Sequence, residues 1–271
     1  MEFVKAHGTG NDFVVVEDLA DHYQLTPELV RAVCDRHFGV GADGLIRIAP
    51  GTDAPFFMDY RNADGSLAEM CGNGVRVVGK YLGDRGLVSS SFDLETRAGV
   101  KHLELHADDA GCIDRVTVDM GPPQIGDERT LDVDGEPVTA TILSMGNPHA
   151  VVFVDDVDKA PVTTLGARLE RHPAFLPART NVEFAQVVDR ATVRQRTWER
   201  GVGETLACGT GACAVAVAAQ VRGLTGHPVA IELRGGRLEL DWTPGGTVRM
   251  TGPAREVAHG TLTDDLLASA R

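Results

Sequence analysis

Two short stretches of the chain share one pattern, and this repeat constrains the fold more than any other feature. Cys71-Gly72-Asn73-Gly74 and Cys208-Gly209-Thr210-Gly211 both read Cys-Gly-x-Gly, and each runs into small or apolar residues suited to a helix. The two cysteines are 137 positions apart, which is close to half of the 271-residue length. We therefore interpret them as equivalent residues at the starts of equivalent helices.

Further matches occur in the same order at nearly the same spacing. Glu95–Gly99 corresponds to Glu232–Gly236, and the pairs Gly10-Asn11 with Gly146-Asn147 and Gly121-Pro122 with Gly252-Pro253 follow at offsets of 136 and 131. A chance likeness of glycine-rich turns is the alternative, but four ordered matches favour an internal duplication. The predicted domains are residues 1–118 plus 253–271, which carry Cys71, and residues 119–252, which carry Cys208.

The segments between these matches read mainly as short strands with few helices, which predicts an α+β fold in which each sheet closes on a helix. Thr26-Pro27 is a typical helix start, and Gly39 is the expected end of that helix. Duplicated domains tend to pair about a pseudo-twofold axis, as identical subunits do. Equivalent loops, here those with the thiols, are then expected to face each other across one substrate.

A cysteine at a helix start lies beside backbone N–H groups that lack helical partners and beside the positive end of the helix dipole. Such N–H groups stabilise a thiolate and also bind a carboxylate. Two thiols on opposite faces of one carbon suit racemisation or epimerisation, in which one removes a proton and the other returns one. The alternatives are structural cysteines, a redox dithiol or a single nucleophile, although nucleophilic catalysis needs only one thiol.

Composition excludes several other classes of function. The net charge of −13 argues against nucleic acid or an anionic membrane as a partner. The five cysteines are scattered without a Cys-x-x-Cys pair, so we expect no metal site and predict reduced thiols in the cytoplasm. The amino terminus lacks the basic and apolar regions of a signal peptide, and no apolar run is long enough to span a bilayer.

Several motifs together resemble the diaminopimelate epimerase family. They are His7–Phe13, Asn62–Ser66, Met70–Gly74, Gly146–His149, Thr180–Glu183, Glu199–Gly201 and Ala207–Gly211. The resemblance covers essentially the whole chain. It implies two homologous domains related by a pseudo-twofold axis, each a curved, mostly antiparallel sheet around a central helix. It also implies a homodimeric isomerase that interconverts LL- and meso-diaminopimelate without pyridoxal phosphate or another cofactor, for lysine and peptidoglycan synthesis.

Position by position, the resemblance implies roles for thirteen residues. Cys71 and Cys208 would be the acid/base pair, and Glu199 would receive the α-ammonium group with His149 near it. The α-carboxylate would be held by Gly72, Asn73, Gly209 and Thr210. The remote end of the amino acid would be recognised by Asn11, Asn62, Asn147, Asn181 and Arg200.

Two departures and two rival interpretations accompany this assignment. Gly44 stands where many family members have Gln, and Val257–Gly260 lacks the Tyr that some members use at their dimer contact. A proline racemase-like enzyme would share the two-thiol chemistry, but such enzymes usually have His at the position of Asn73 and have no use for Arg200. A redox or non-catalytic binding protein on the same scaffold is the more distant alternative.

Overall fold

The computed structural model describes residues 1–68 and 70–269, and it divides the chain into two compact units. Unit 1 is Met1–Val118 with Gly252–Arg271, and unit 2 is Asp119–Thr251. The strands are β1 Glu2–Gly8, β2 Asn11–Glu17, β3 Gly44–Pro50, β4 Phe56–Asn62, β5 Ser91–Thr96, β6 Gly99–Ala107, β7 Ile113–Asp119, β8 Gln124–Val133, β9 Glu136–Ser144, β10 Pro148–Phe153, β11 Asn181–Asp189, β12 Thr192–Glu199, β13 Gly203–Thr205, β14 Val229–Leu233, β15 Gly236–Asp241, β16 Arg249–Pro253 and β17 Arg255–Thr261. The α-helices are α1 Pro27–Cys34, α2 Gly72–Asp84, α3 Ala167–Glu170, α4 Gly209–Val221 and α5 Asp264–Ser269.

Unit 1 is a mixed sheet around helix α2. Its strands pair in the order β17-β1-β2-β3-β4-β5-β6-β7, with β2–β3 and β4–β5 parallel and the other pairs antiparallel. Helix α2 packs on β1, β2, β4, β6 and β17 and is buried from Gly72 through Leu82. On the other face of the sheet, α1 covers Val14, Val16 and Leu45.

Unit 2 repeats this plan with helix α4 at its centre. The strand order β8-β9-β10-β11-β12-β14-β15-β16 has parallel pairs at β10–β11 and β12–β14, which are the positions equivalent to those in unit 1. Strand β13 adds a short hairpin to β12. Helices α2 and α4 both have 13 residues, and their bounds differ by the same 137 positions as the two cysteines. The predicted α+β fold, with a mostly antiparallel sheet around a central helix, is confirmed.

Helix α1 begins as predicted but ends early. The Thr26 hydroxyl accepts the Leu29 N–H at 3.2 Å, which caps the amino end. The helix stops at Cys34 instead of Gly39, because the Asp35 carboxylate accepts the N–H groups of His37 and Phe38 and turns the chain out of the helix.

Candidate active site

Cys71 and Cys208 are both helix N-caps, as the sequence predicts. Each has an extended backbone, and its carbonyl accepts the first helical N–H, from Val75 and Ala212 respectively, at 2.9 Å in both cases. The next two residues, Gly72 with Asn73 and Gly209 with Thr210, form the first positions of helices α2 and α4. Backbone N–H groups at these positions lack acceptors within their helix, so each helix start can bind an anion beside a thiol.

Hydrogen bonds in unit 1 link Cys71 to a pair of side-chain amides. The thiol donates to Asn11 Oδ1 at 3.4 Å, and the Asn73 side-chain amide donates to the same oxygen at 3.2 Å. Asn11 Nδ2 in turn donates to Asp43 Oδ2 at 2.8 Å, which fixes the direction of the amide. Asn11 therefore lies beside the thiol, whereas the sequence interpretation placed it at the remote end of the substrate.

Arg76 brings a positive charge close to this helix start. Its side chain is completely buried, and Nη2 donates to Asn73 Oδ1 at 2.9 Å and to the Thr9 hydroxyl at 3.1 Å. The guanidinium thus holds the Asn73 amide that contacts Asn11. The sequence analysis did not assign a role to Arg76, although it directly continues the glycine-rich stretch.

Cys208 lies in a more enclosed site in unit 2. Its sulfur accepts the Gly211 N–H at 3.4 Å and lies 3.6 Å from the Thr210 hydroxyl. Burial raises the pKa of the Cys208 thiol well above its ordinary value, and the carboxylates of Glu199 and Glu183 raise it further. The two hydrogen bonds act in the opposite direction but are outweighed.

A buried polar chain runs behind Cys208. His149 is completely buried, with Nδ1 2.8 Å from Glu183 Oε1 and Nε2 3.0 Å from Asn147 Oδ1. Asn147 Nδ2 donates to the Thr210 hydroxyl at 3.3 Å, which leads back to the start of helix α4. This series of hydrogen bonds connects Glu183 with the surroundings of the thiol. The sequence analysis predicted no role for Glu183.

The remaining predicted residues of unit 2 lie in or beside the turn after β12. The Thr205 hydroxyl donates to Glu199 Oε1 at 2.5 Å. Asn181 Oδ1 accepts the Arg200 backbone N–H at 2.9 Å, and Asn181 Nδ2 donates to the Pro148 carbonyl at 3.0 Å. Asn181 thus fixes the position of Arg200, whose own Nη1 donates to the Ala178 carbonyl at 2.8 Å.

Asn62 lies apart from the Cys71 contacts within unit 1. It is the last residue of β4, and its side-chain amide donates to the Ser66 hydroxyl at 3.0 Å within the polar turn. The residues that unit 1 brings together at the thiol are therefore Asn11, Gly72 and Asn73, with Asn62 at the neighbouring turn.

Residues 1–68 and 70–269 contain no group of three or more His, Cys, Asp or Glu side chains arranged to hold a metal ion. Within the same residues, no helix combines the length and apolar character needed to cross a membrane.

Comparison with known proteins identifies the family. The family model described as diaminopimelate epimerase matches residues 3–126 and 141–257. The chain belongs to the diaminopimelate epimerase family. The diaminopimelate epimerase of Leptospira biflexa serovar Patoc is 46% identical over 97% of this chain and 99% of its own length, and that of Heliobacterium modesticaldum is 47% identical with the same coverage.

Solved structures with low sequence identity share the fold of this chain. A probable proline racemase from Agrobacterium radiobacter K84 superposes with a TM-score of 0.76 over 97% of this chain and 93% of its own, at 18% identity. This likeness shows a common fold. The predicted family and the predicted isomerase class are confirmed by the diaminopimelate epimerase relatives.

Proposed function

We propose that this enzyme interconverts LL- and meso-2,6-diaminopimelate with a thiolate and a thiol and without a cofactor. Near-complete coverage by relatives named diaminopimelate epimerase, at 46–47% identity, supports the substrate. The observation that carries the chemistry is that both cysteines are N-caps of equivalent helices. The product would serve lysine and peptidoglycan synthesis.

The α-carboxylate of the substrate is the group that the two helix starts would hold. Backbone N–H groups at Gly72, Asn73, Gly209 and Thr210 are suited to it, since they supply donors and partial positive charge. Loss of the α-proton moves negative charge onto this carboxylate. The same donors then bind the transition state more strongly than the ground state, which lowers the barrier.

The proton would move through the two sulfur atoms. One cysteine, as a thiolate, takes the α-proton and becomes a thiol, and the electron pair of the C–H bond passes into the carboxylate. The other cysteine, as a thiol, donates its proton to the opposite face of the carbon and becomes a thiolate. Each turnover therefore exchanges the protonation states of Cys71 and Cys208.

Charged and amide groups would hold the two ends of the substrate. Glu199 is suited to the α-ammonium group, and Asn11 belongs to the same end because its amide contacts Cys71. Arg200 and the amides of Asn62, Asn147 and Asn181 would bind the remote carboxylate and ammonium groups. His149 is buried, so we assign it a positioning role through Asn147 and Glu183.

The organisation of the enzyme is also part of the proposal. The two homologous halves would act as domains that contribute one thiol each. The reaction needs both thiols reduced, which supports the cytoplasm as its compartment. We expect a homodimer, and a monomeric mass in light scattering at micromolar concentration would contradict that expectation.

Turnover in heavy water tests the function directly. The purified, reduced enzyme is incubated with LL-diaminopimelate in D₂O, and the product is separated from its stereoisomer and analysed for deuterium. We expect meso-diaminopimelate with deuterium at the inverted α-carbon. L-Proline is the matched control substrate; racemisation of proline without turnover of LL-diaminopimelate would favour a proline racemase, and no exchange with either would favour a binding protein.

A further inference from the structure

The two units share their backbone plan, but the side chains beneath their thiols differ in kind. The registers of the β3–β4 and β11–β12 pairs align Ile46 with Glu183. The same strands align Met58 with Gln195, and the preceding strands align Phe13 with His149. All six side chains are buried. Three apolar residues in unit 1 are therefore replaced by one acidic residue, one amide and one imidazole in unit 2.

The glycines in the first turns of helices α2 and α4 are Gly74 and Gly211. Their surroundings show how close the aligned buried side chains lie to each sulfur. A Cβ at Gly211 would be 2.7 Å from Glu183 Oε1 and 3.2 Å from Cys208 Sγ, so the carboxylate oxygen and the sulfur are within about 6 Å of each other. A Cβ at the equivalent Gly74 would instead be 3.0 Å from Ile46 Cδ1. The carboxylate of unit 2 thus occupies the position of an isoleucine methyl group.

Packing does not explain the polar layer of unit 2, which consists of Glu183, Gln195 and His149. Glu183 Oε2 and Gln195 Oε1 are both buried and have no hydrogen-bond partner within the part of the chain that the structure describes. Burying a carboxylate whose hydrogen bonds are incomplete costs stability, and the aligned Ile46 and Met58 show that the fold accepts apolar residues there. A group retained at such a cost next to a reactive thiol points to a chemical role.

We propose that the buried carboxylate of Glu183 keeps Cys208 protonated in the resting enzyme, so that Cys71 is the thiolate that begins turnover. This assignment rests on the two-thiol function proposed above, in which one sulfur is charged and the other is not. Glu183 is a positioning residue, since it acts on the thiol electrostatically and through His149 without contacting the substrate.

The other groups around Cys208 are consistent with this direction. Glu199, at the end of β12, is a second carboxylate that raises the pKa of the thiol together with Glu183, while His149 on β10 contacts one oxygen of Glu183. Strands β14 and β15 bring apolar side chains to helix α4, namely Ile231, Leu238 and Leu240.

The surroundings of Cys71 favour a charged sulfur by comparison. The thiol donates to the Asn11 amide, which also accepts from Asn73, and the buried Arg76 guanidinium contacts Asn73 in turn. The Asp43 carboxylate that holds Asn11 is itself paired with Arg36. At the position equivalent to Arg76, unit 2 has Cys213, which is also buried. The fully buried charge next to the Cys71 helix start is therefore the guanidinium of Arg76, and the one next to the Cys208 helix start is the carboxylate of Glu183.

The test is a pH titration that reads each sulfur separately. The enzyme is labelled with ¹³C at the cysteine β-carbons, whose chemical shifts follow ionisation of the thiol, and single Cys→Ser variants assign the five signals. We expect the Cys71 signal to titrate at a lower pH than the Cys208 signal. Glu183→Gln should lower the Cys208 midpoint by about one pH unit or more, as expected for a charge removed at this distance.

Two further variants separate charge from structure. Glu183→Asp retains the charge and should leave the Cys208 midpoint nearer to that of the wild type. Glu204→Gln removes another well-shielded carboxylate of unit 2, one that pairs with Arg196, and should leave both midpoints unchanged. A Cys208 midpoint that stays or rises in Glu183→Gln would show that His149 cancels the carboxylate, and it would overturn the proposal.

The wild-type comparison keeps the test decisive even if Glu183→Gln fails to fold. A Cys208 signal that titrates at or below the pH of the Cys71 signal refutes the inference. Epimerisation of LL-diaminopimelate is measured on the same sample. An inactive enzyme with the expected titration order refutes the proposed function alone, whereas an active enzyme with the reverse order refutes only the assignment of the two thiols.

Discussion

At the scale of single residues, the site depends on side chains that hold other side chains. Asp43 fixes the Asn11 amide and Arg76 fixes the Asn73 amide, and the Asn11 oxygen accepts from both Asn73 and the Cys71 thiol. Such supporting groups restrict the rotamers of the residues proposed to contact the substrate, which would aid catalysis without any contact with the reacting atoms.

The sequence reveals the two thiols but not the residue behind one of them. Cys71 and Cys208 could be predicted because a glycine pair and a helix start accompany each. Glu183 could not, because side chains alternate between the two faces of a strand and its neighbours Val182 and Phe184 belong to the core. Alternation therefore predicts that Glu183 faces solvent. Both faces of β11 are in fact covered: Val182 and Phe184 pack with Leu169, and Glu183 faces helix α4.

Replacing either sulfur by oxygen tests the acid/base assignment. Cys71→Ser and Cys208→Ser should each lower kcat for LL-diaminopimelate by about 100-fold or more, because a hydroxyl is a much weaker acid than a thiol. Circular dichroism and thermal unfolding should match those of the wild type, since the side chains have similar shapes. Cys112→Ser, at an exposed position, is the control. Wild-type turnover by either active-site variant would contradict the assignment.

At the scale of elements, the structural repeat extends further than the sequence matches indicate. The sequence predicts equivalent helices and turns, whereas the structure shows that the strand order and the positions of the parallel pairs are also the same. A helix predicted over Thr164–Arg171 is present but shorter, as α3. The hairpin strand β13 was not predicted, because it is short and lacks strong periodicity, so its formation depends on its pairing with β12.

The first turns of α2 and α4 should respond differently to the same substitution. Alanine at Gly211 would bring a methyl group against Glu183, Cys208 and Gln195 together, and the bond to His149 restrains the carboxylate. Alanine at Gly74 meets mainly the terminal methyl of Ile46, which can rotate away. We expect Gly211→Ala to lower the free energy of unfolding by about 1–3 kcal/mol.

Gly74→Ala serves as the matched control for that substitution. Its free energy of unfolding should stay within about 1 kcal/mol of the wild type, because a volume increase next to a movable side chain is tolerated. Urea unfolding of both variants measures the difference. Equal losses in the two variants would mean that the polar layer in unit 2 is as adaptable as the apolar layer in unit 1.

At the scale of the whole molecule, stability should depend on ionised carboxylates in the acid range. Burial raises the pKa of Asp12, but hydrogen bonds from Arg36 and Lys5 outweigh it and lower the value from 3.8 to about 2. The pKa of Asp18 and that of Asp59 are also lowered: burial opposes the shift, and hydrogen bonds, among them those from Arg47 to Asp18 and from Arg97 to Asp59, exceed it.

A lowered pKa in the folded state stabilises the fold only while the group is ionised. The contribution of Asp12 is complete above about pH 5 and is lost as the pH falls through about 2. The free energy of unfolding of the wild type should therefore fall between pH 6 and pH 2. In Asp12→Asn we expect this fall to be smaller by about 2 kcal/mol. Urea unfolding at each pH measures this, with the exposed Asp109→Asn as the control, and an unchanged pH dependence in Asp12→Asn would contradict it.

The divergence of the two buried layers has a consequence for how such an enzyme can arise. An assembly of two identical subunits must give both sulfurs the same surroundings, so neither can be assigned in advance to accept or to release a proton. Joining the two copies in one polypeptide removes that restriction. A substitution such as isoleucine to glutamate can then alter one copy alone, and mirror-image steps on a single stereocentre can be tuned independently.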